Sequence, residues 1–174
     1  KARTVLVLDH HKSEAEDLKD AIYVGDFLFH EWLKAAPESG VNLAAVFDMN
    51  RSGASLTWDI LFPNYVRPWL IRYIEDRDLW RQKLENCNEI IMALRSYPHD
   101  FDVWQRIINN GPDALLAQGR AIHRYYRTIV DAMKKNATRQ TIGGVDVPVV
   151  NCPFHFASEV AGELADGEPF AACY

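Results

Sequence analysis

The chain has 174 residues, 48% hydrophobic and 25% charged, enough for one domain with a sizeable core or one domain plus part of another. A formal net charge of −5 gives no global basic field, which excludes wrapping of duplex nucleic acid but leaves room for a short oligonucleotide or small phosphoester held by local arginines. No apolar run approaches a bilayer span and no stretch reads as a signal peptide. Cys87, Cys152 and Cys173 lack paired or metal-like spacing, so the expectation is a reducing compartment, the cytoplasm, with no membrane partner.

Residues 4–9 are apolar and β-branched and predict a first strand. Ser13 then reads as an N-cap, with Glu16 completing a capping box and Glu14 adding charge to the first turn. From Ile22 to Ala35 the chain is rich in aromatics (Tyr23, Phe27, Phe29, Trp32), which predicts a helix closed by Pro37 and Gly40. Leu43–Phe47 predicts a second strand, and a helix follows with Leu56, Ile60 and Leu61 on one face. Strand, helix, strand and helix in that order imply an α/β fold, a doubly wound and mainly parallel sheet with crossover helices.

Between Val66 and Asn110 the pattern is helical, broken near Asn86 and Tyr97-Pro98, with Pro68 in a first turn where its missing N–H costs nothing. Pro112 to Asn136 reads as one long linking helix with Leu115, Ile122 and Ile129 on its apolar stripe. Gly143-Gly144 ends that region. A strand over 145–151, a helix over 157–165 and a strand over 169–174 then predict the start of a second α/β unit. The expected organisation is 1–111, a linking helix over 112–137, and 138–174. Lys1 leads almost directly into a strand and Tyr174 ends an unfinished one, so the expectation is a piece of a longer protein.

Asp9-His10-His11 follows the first strand directly. Open α/β sheets bind ligands at the carboxyl ends of their strands, and imidazole with carboxylate suits manganese, iron or zinc. In Tyr73–Trp80, Asp76 and Asp78 are one residue apart around Arg77. That segment is either a solvated turn paired through Arg77 or a second group of metal ligands converging on the first. Two-metal phosphoester hydrolysis needs such a set of carboxylates and histidines to activate water and neutralise phosphoryl charge. Ser52-Gly53-Ala54 opens a helix, where free N–H groups and the helix dipole suit an anion, with Asn50 and Arg51 within reach of phosphate oxygens; a plain N-cap is the alternative. His30, His99 and His123 read as packing or surface histidines. His155 sits between a strand and a helix, where it could touch a ligand in a cleft between the two units.

Val5-Leu6-Val7-Leu8-Asp9-His10-His11-Lys12-Ser13 resembles the defining motif of the DHH phosphoesterase superfamily, and the likeness extends to Phe47–Ala54, to Tyr73–Trp80 and to Val147–Cys152, the last resembling the opening of a DHHA1-type substrate domain. The resemblance implies a manganese-dependent hydrolase of phosphoesters or phosphoanhydrides, with Mg2+ or Zn2+ as secondary choices. It makes His10 a metal ligand, Asp9 its orienting partner, His11 a contact to substrate phosphate or the attacking water, and Asp76 the later aspartate ligand, with Asp78 second. Asn50, Arg51, Ser52, Gly53 and His155 are the expected substrate contacts. The family carries further metal-binding aspartates ahead of the DHH motif and a GGGH motif in its second domain, and this sequence shows neither. The expectation is therefore weak metal binding and little hydrolysis from these 174 residues, with activity in the parent protein toward nucleotide or short oligonucleotide phosphodiesters. Two other readings stay open: a non-catalytic nucleotide- or protein-binding module, and a mononuclear zinc hydrolase. Against the latter, adjacent imidazoles on an extended segment point to opposite faces. A homodimer is compatible with all three.

Overall fold

β1 (Val5–Asp9) and β3 (Leu43–Phe47) pair in parallel from Val5↔Leu43 to Asp9↔Phe47, in a computed structural model that describes residues 5–20, 22–23 and 43–174. Alternation puts Leu6 and Leu8 level with Ala44 and Val46, and all four pack on Leu56 and Ile60, one helical turn apart on α2 (Gly53–Leu61). β2 (Ile22–Tyr23) adds a third parallel strand on the far side of β3. The coarse expectation of an α/β arrangement with parallel strands therefore holds.

Several local expectations do not. Ile22–Tyr23 is strand rather than the start of a helix, because β3 offers it a ladder; the rest of the expected aromatic helix, including His30, lies outside the described residues. His11, not Ser13, occupies the N-cap of α1 (Lys12–Asp17), and the Ser13 hydroxyl donates instead to Glu14. Leu61 is 49% exposed, because the α2 face that meets the sheet is set by Leu56 and Ile60.

Three further helices, α3 (Trp69–Asp78), α4 (Cys87–Arg95) and α5 (Phe101–Asn110), close over a second core of Leu70, Ile90, Ile91, Leu94 and Ile107 that also takes in Leu115 of α6 (Asp113–Lys134). Gly119 explains how closely α6 approaches. A Cβ there would stand 2.0 Å from the Glu89 carbonyl oxygen, so the helix gives up the propensity a glycine costs in order to touch the α4 backbone.

The chain forms two compact units, Lys1–Gly119 and Arg120–Tyr174, so their boundary falls inside α6 rather than at either end of it. In the second unit β4 (Thr138–Ile142) and β5 (Val145–Val150) form an antiparallel hairpin. Its two-residue turn is Gly143 (φ 59) and Gly144 (φ 84), the pair of positive φ values that a tight hairpin of right-handed twist requires. β6 (Ala172–Cys173) lies parallel to β5 and is shorter than the expected 169–174. α7 (Phe154–Leu164) starts three residues before its expected position, at Pro153, whose fixed φ suits a helix start. Val130, Val150, Cys152 and Val160 form the core of this unit. Among the described residues no helix is long and apolar enough to cross a membrane.

Candidate metal centre

β1 and β3 end level with one another, and the Asp48 N–H donates to the Asp9 carbonyl at 3.1 Å. Asp9 and Asp48 thus stand side by side at the carboxyl edge of the sheet. Oδ1 of Asp9 accepts from the His10 N–H at 2.7 Å and bonds the His11 ring at Nδ1 at 2.8 Å. Partial burial alone would raise the Asp9 carboxyl, but the His11 ring and the His10 amide together hold it below its usual value. The same bond, with the Asp9 charge, raises the His11 imidazole.

The rings of His10 and His11 stack with centroids 4.3 Å apart and planes at 29°. The expectation that they point to opposite faces is corrected here. The chain has already left the strand at His10 and turns into α1, and Asp9 pulls the His11 ring back toward the sheet edge.

His10 is the more buried of the two, its side chain 14% exposed against 60% for His11. Its Nε2 faces Asp78 Oδ2 at 3.7 Å, beyond hydrogen-bonding distance, and its Nδ1 lies 3.8 Å from Asp9 Oδ1 with no hydrogen-bond partner. A buried ring nitrogen without a partner is costly unless something else fills the role. Two donors about 2.1 Å from one cation sit about 3.0–3.4 Å apart at right or tetrahedral angles. His10 Nε2 and Asp78 Oδ2 are within a few tenths of an ångström of that spacing, so this pair fits a divalent ion. One ligand atom each from Asp9, His10 and His11 also lies within 4.8 Å of the others.

Asp76 is used differently from the expectation that put it first among the later ligands. Its carboxylate accepts from the Lys83 and Leu84 N–H groups at 3.0 and 3.1 Å, and its carbonyl accepts from Arg81 at 2.9 Å. Burial would raise this carboxyl, and those two amides lower it. It ties down a loop in which Trp80, Gln82 and Asn86 all have φ near +50°, a conformation that non-glycine residues rarely adopt. The Arg77 guanidinium lies 4.3 Å over the Trp80 ring.

The expected phosphate cradle at the start of α2 is already filled. Ser52 is fully buried, caps Ser55 through its hydroxyl, and donates its N–H to Glu75 Oε2 at 3.2 Å. A Cβ at Gly53 would lie 3.4 Å from the Leu8 carbonyl, an ordinary contact, so α2 starts directly against β1. Arg51 binds Asp48 at 2.6 Å and Asp59 at 3.1 Å, while the Asn50 carbonyl accepts from Arg81. The protein's own Glu75 carboxylate thus sits where a substrate anion was expected, which removes Ser52 as a substrate contact. His155 is exposed in the first turn of α7, in the second unit, with its carbonyl accepting from Tyr126.

Two acids of this region went unnoticed in the sequence. Asp48 follows β3 as Asp9 follows β1, and the same strand-end logic points to it. Glu75 had no such signal, because a run of three acids around one arginine does not say which of them turns inward.

No family model matches the chain, and no solved structure matches it. A protein of Acanthamoeba polyphaga mimivirus described as uncharacterized protein R106 is similar, at 26% identity over 107 residues, which cover 62% of this chain and 21% of the viral protein. The chain spans about a fifth of the length of that relative.

Proposed function

We propose that the chain carries part of the metal centre of a DHH-type phosphoesterase acting on nucleotide or short oligonucleotide phosphodiesters. On this reading the parallel strands β1, β3 and β2 belong to a doubly wound sheet, and residues from β4 onward begin a DHHA1-like substrate domain. The observation that carries it is the His10 imidazole, its Nδ1 buried without a hydrogen bond and its Nε2 facing the Asp78 carboxylate at 3.7 Å, at the carboxyl edge of a parallel pair. Manganese fits a donor set of imidazole and carboxylate oxygen. When bound, such an ion neutralises phosphoryl charge and makes water more acidic.

The residues divide the remaining work. Asp9 orients the His11 ring through Nδ1, which leaves Nε2 as the free, solvent-facing nitrogen. The hydrogen bond to Asp9 and then the Asp9 charge raise the proton affinity of the His11 ring, which favours the doubly protonated form, whose Nε2–H can bond a phosphoryl oxygen and stabilise charge developing there. Asp78, 45% exposed, faces His10 Nε2 and is open to solvent. Asp76 and Glu75 hold the flanking loops in place.

Calorimetric titration with Mn2+ tests this reading. The 174-residue chain should bind the ion weakly, and both His10→Ala and Asp78→Asn should cut that affinity by at least about tenfold. Unchanged Mn2+ affinity in both variants overturns the reading, and tight uptake of two ions per chain overturns the incompleteness of the set.

A further inference from the structure

A cavity of about 250 Å3 borders Asp78, and the phosphoesterase reading has no use for it as it stands. Its floor is apolar, made by Ile74, Ile91 and Leu94 from the core of α3 and α4. One wall is aromatic: Trp104 of α5 meets His99 edge to face at 5.7 Å and 81°. The Trp104 ring is held in place, since its indole N–H donates to the Pro98 carbonyl at 3.0 Å. Asp78, Arg77 and Arg95 supply charged groups to the lining. Arg95 is exposed and forms no hydrogen bond or ion pair among the described residues. Beyond the same Trp104–His99 wall a second hollow of about 210 Å3 is bordered by Phe101, which is 94% exposed.

An inorganic phosphoanhydride would meet Arg77 and Arg95 but leave the apolar floor and the Trp104 ring uncovered. A flat heterocycle with a polar edge matches the apolar side chains, the fixed indole and the hydrogen-bonding groups of the lining. Drug-sized ligands fill pockets of about 300–1,000 Å3, so this cavity takes a single ring system. Asp78 lines the cavity and also faces His10, which places the ring beside the phosphate that the centre would hold.

We propose that this cavity is the base subsite of the substrate, with Trp104 as its stacking platform and Arg95 as a rim contact, so that the substrate is a nucleotide and not a bare pyrophosphate or polyphosphate. The proposal rests on the phosphoesterase reading for the phosphate, but the base subsite can be tested without a metal. Adenosine titrated into the 15N-labelled 174-residue chain should shift the indole 15N–1H resonance of Trp104, assigned by its loss in Trp104→Phe. Trp104→Phe should retain adenosine affinity to within about threefold, while Trp104→Ala should lose about tenfold or more; Arg95→Ala gives a second, surface variant that leaves the core untouched. With Mn2+ present, AMP should bind at least about tenfold more tightly than inorganic phosphate. Adenosine leaving the Trp104 resonance unmoved, or AMP and phosphate binding equally well, overturns the base subsite even if Mn2+ binds as expected. Adenosine binding at Trp104 with no Mn2+ uptake supports the subsite and counts against the metal centre alone.

Discussion

Two charged clusters, one in each unit, are built to opposite rules. In the second unit both Glu163 oxygens are engaged: Arg127 takes both in a fork, and Lys134 donates to Oε2 at 2.5 Å. At the sheet edge of the first unit, His10 and Asp78 face each other across 3.7 Å without a hydrogen bond, and the His10 Nδ1 is buried with no partner. The sequence composition of the two is similar, a few acids beside a few nitrogen bases. What separates them is satisfaction. A saturated cluster has finished its chemistry in folding, whereas an unsatisfied one retains a desolvation cost that a ligand can relieve.

Glu75 sharpens that contrast, because it lies close in sequence to Asp78 yet obeys the first rule. Its side chain is 11% exposed, and it accepts from Ser52 N–H, from Arg67 and from Arg81 at 3.2, 3.4 and 3.1 Å. Removing it leaves a buried amide and two guanidinium groups short of a partner. Glu75→Ala should therefore cost about 3 kcal/mol in urea unfolding with an unchanged denaturant slope. A loss below about 1 kcal/mol would break the equation of saturation with structure.

A smaller effect is expected at Glu163. Arg127 first and then Lys134 bring its carboxyl down to about 2 against the drag of partial burial. Because the folded value lies below the unfolded one, the stabilisation is present above pH 4.5 and is lost as pH falls toward 2. The side chain is 32% exposed, so solvent screening reduces the benefit to about 1 kcal/mol. Glu163→Gln should show that difference by thermal unfolding at pH 7 and none near pH 2. A pH-independent difference would mean that packing, not charge, accounts for it.

The legible and illegible parts of this chain follow from how far each interaction reaches along the sequence. β1 and β3 were readable because each is a short continuous apolar run, a local signal, and the strand-end position of Asp9, His10 and His11 followed from the first. The Gly143-Gly144 hairpin was half readable. The glycines mark the turn, but all five residues of β4 are exposed and carry no period-two pattern to announce a strand. Which of Asp76 and Asp78 turns toward His10 could not be read, since it depends on the Lys83 and Leu84 amides of a loop with three left-handed residues. Ser52 failed for the same reason: its occupant, Glu75, comes from 23 residues away.

The smallest expected effect concerns the exposed member of the unsatisfied cluster. Asp9 raises the His11 imidazole first by a direct hydrogen bond and then by its charge. The contribution to stability is thus complete below the unfolded value of about 6.5 and fades as pH rises through the folded one. In Asp9→Asn the carboxylate is gone, and the His11 titration followed by proton NMR should move down toward 6.5. If His11 titrates identically in both proteins, Asp9 does not control its proton and does not prepare the ring to bond a phosphoryl oxygen.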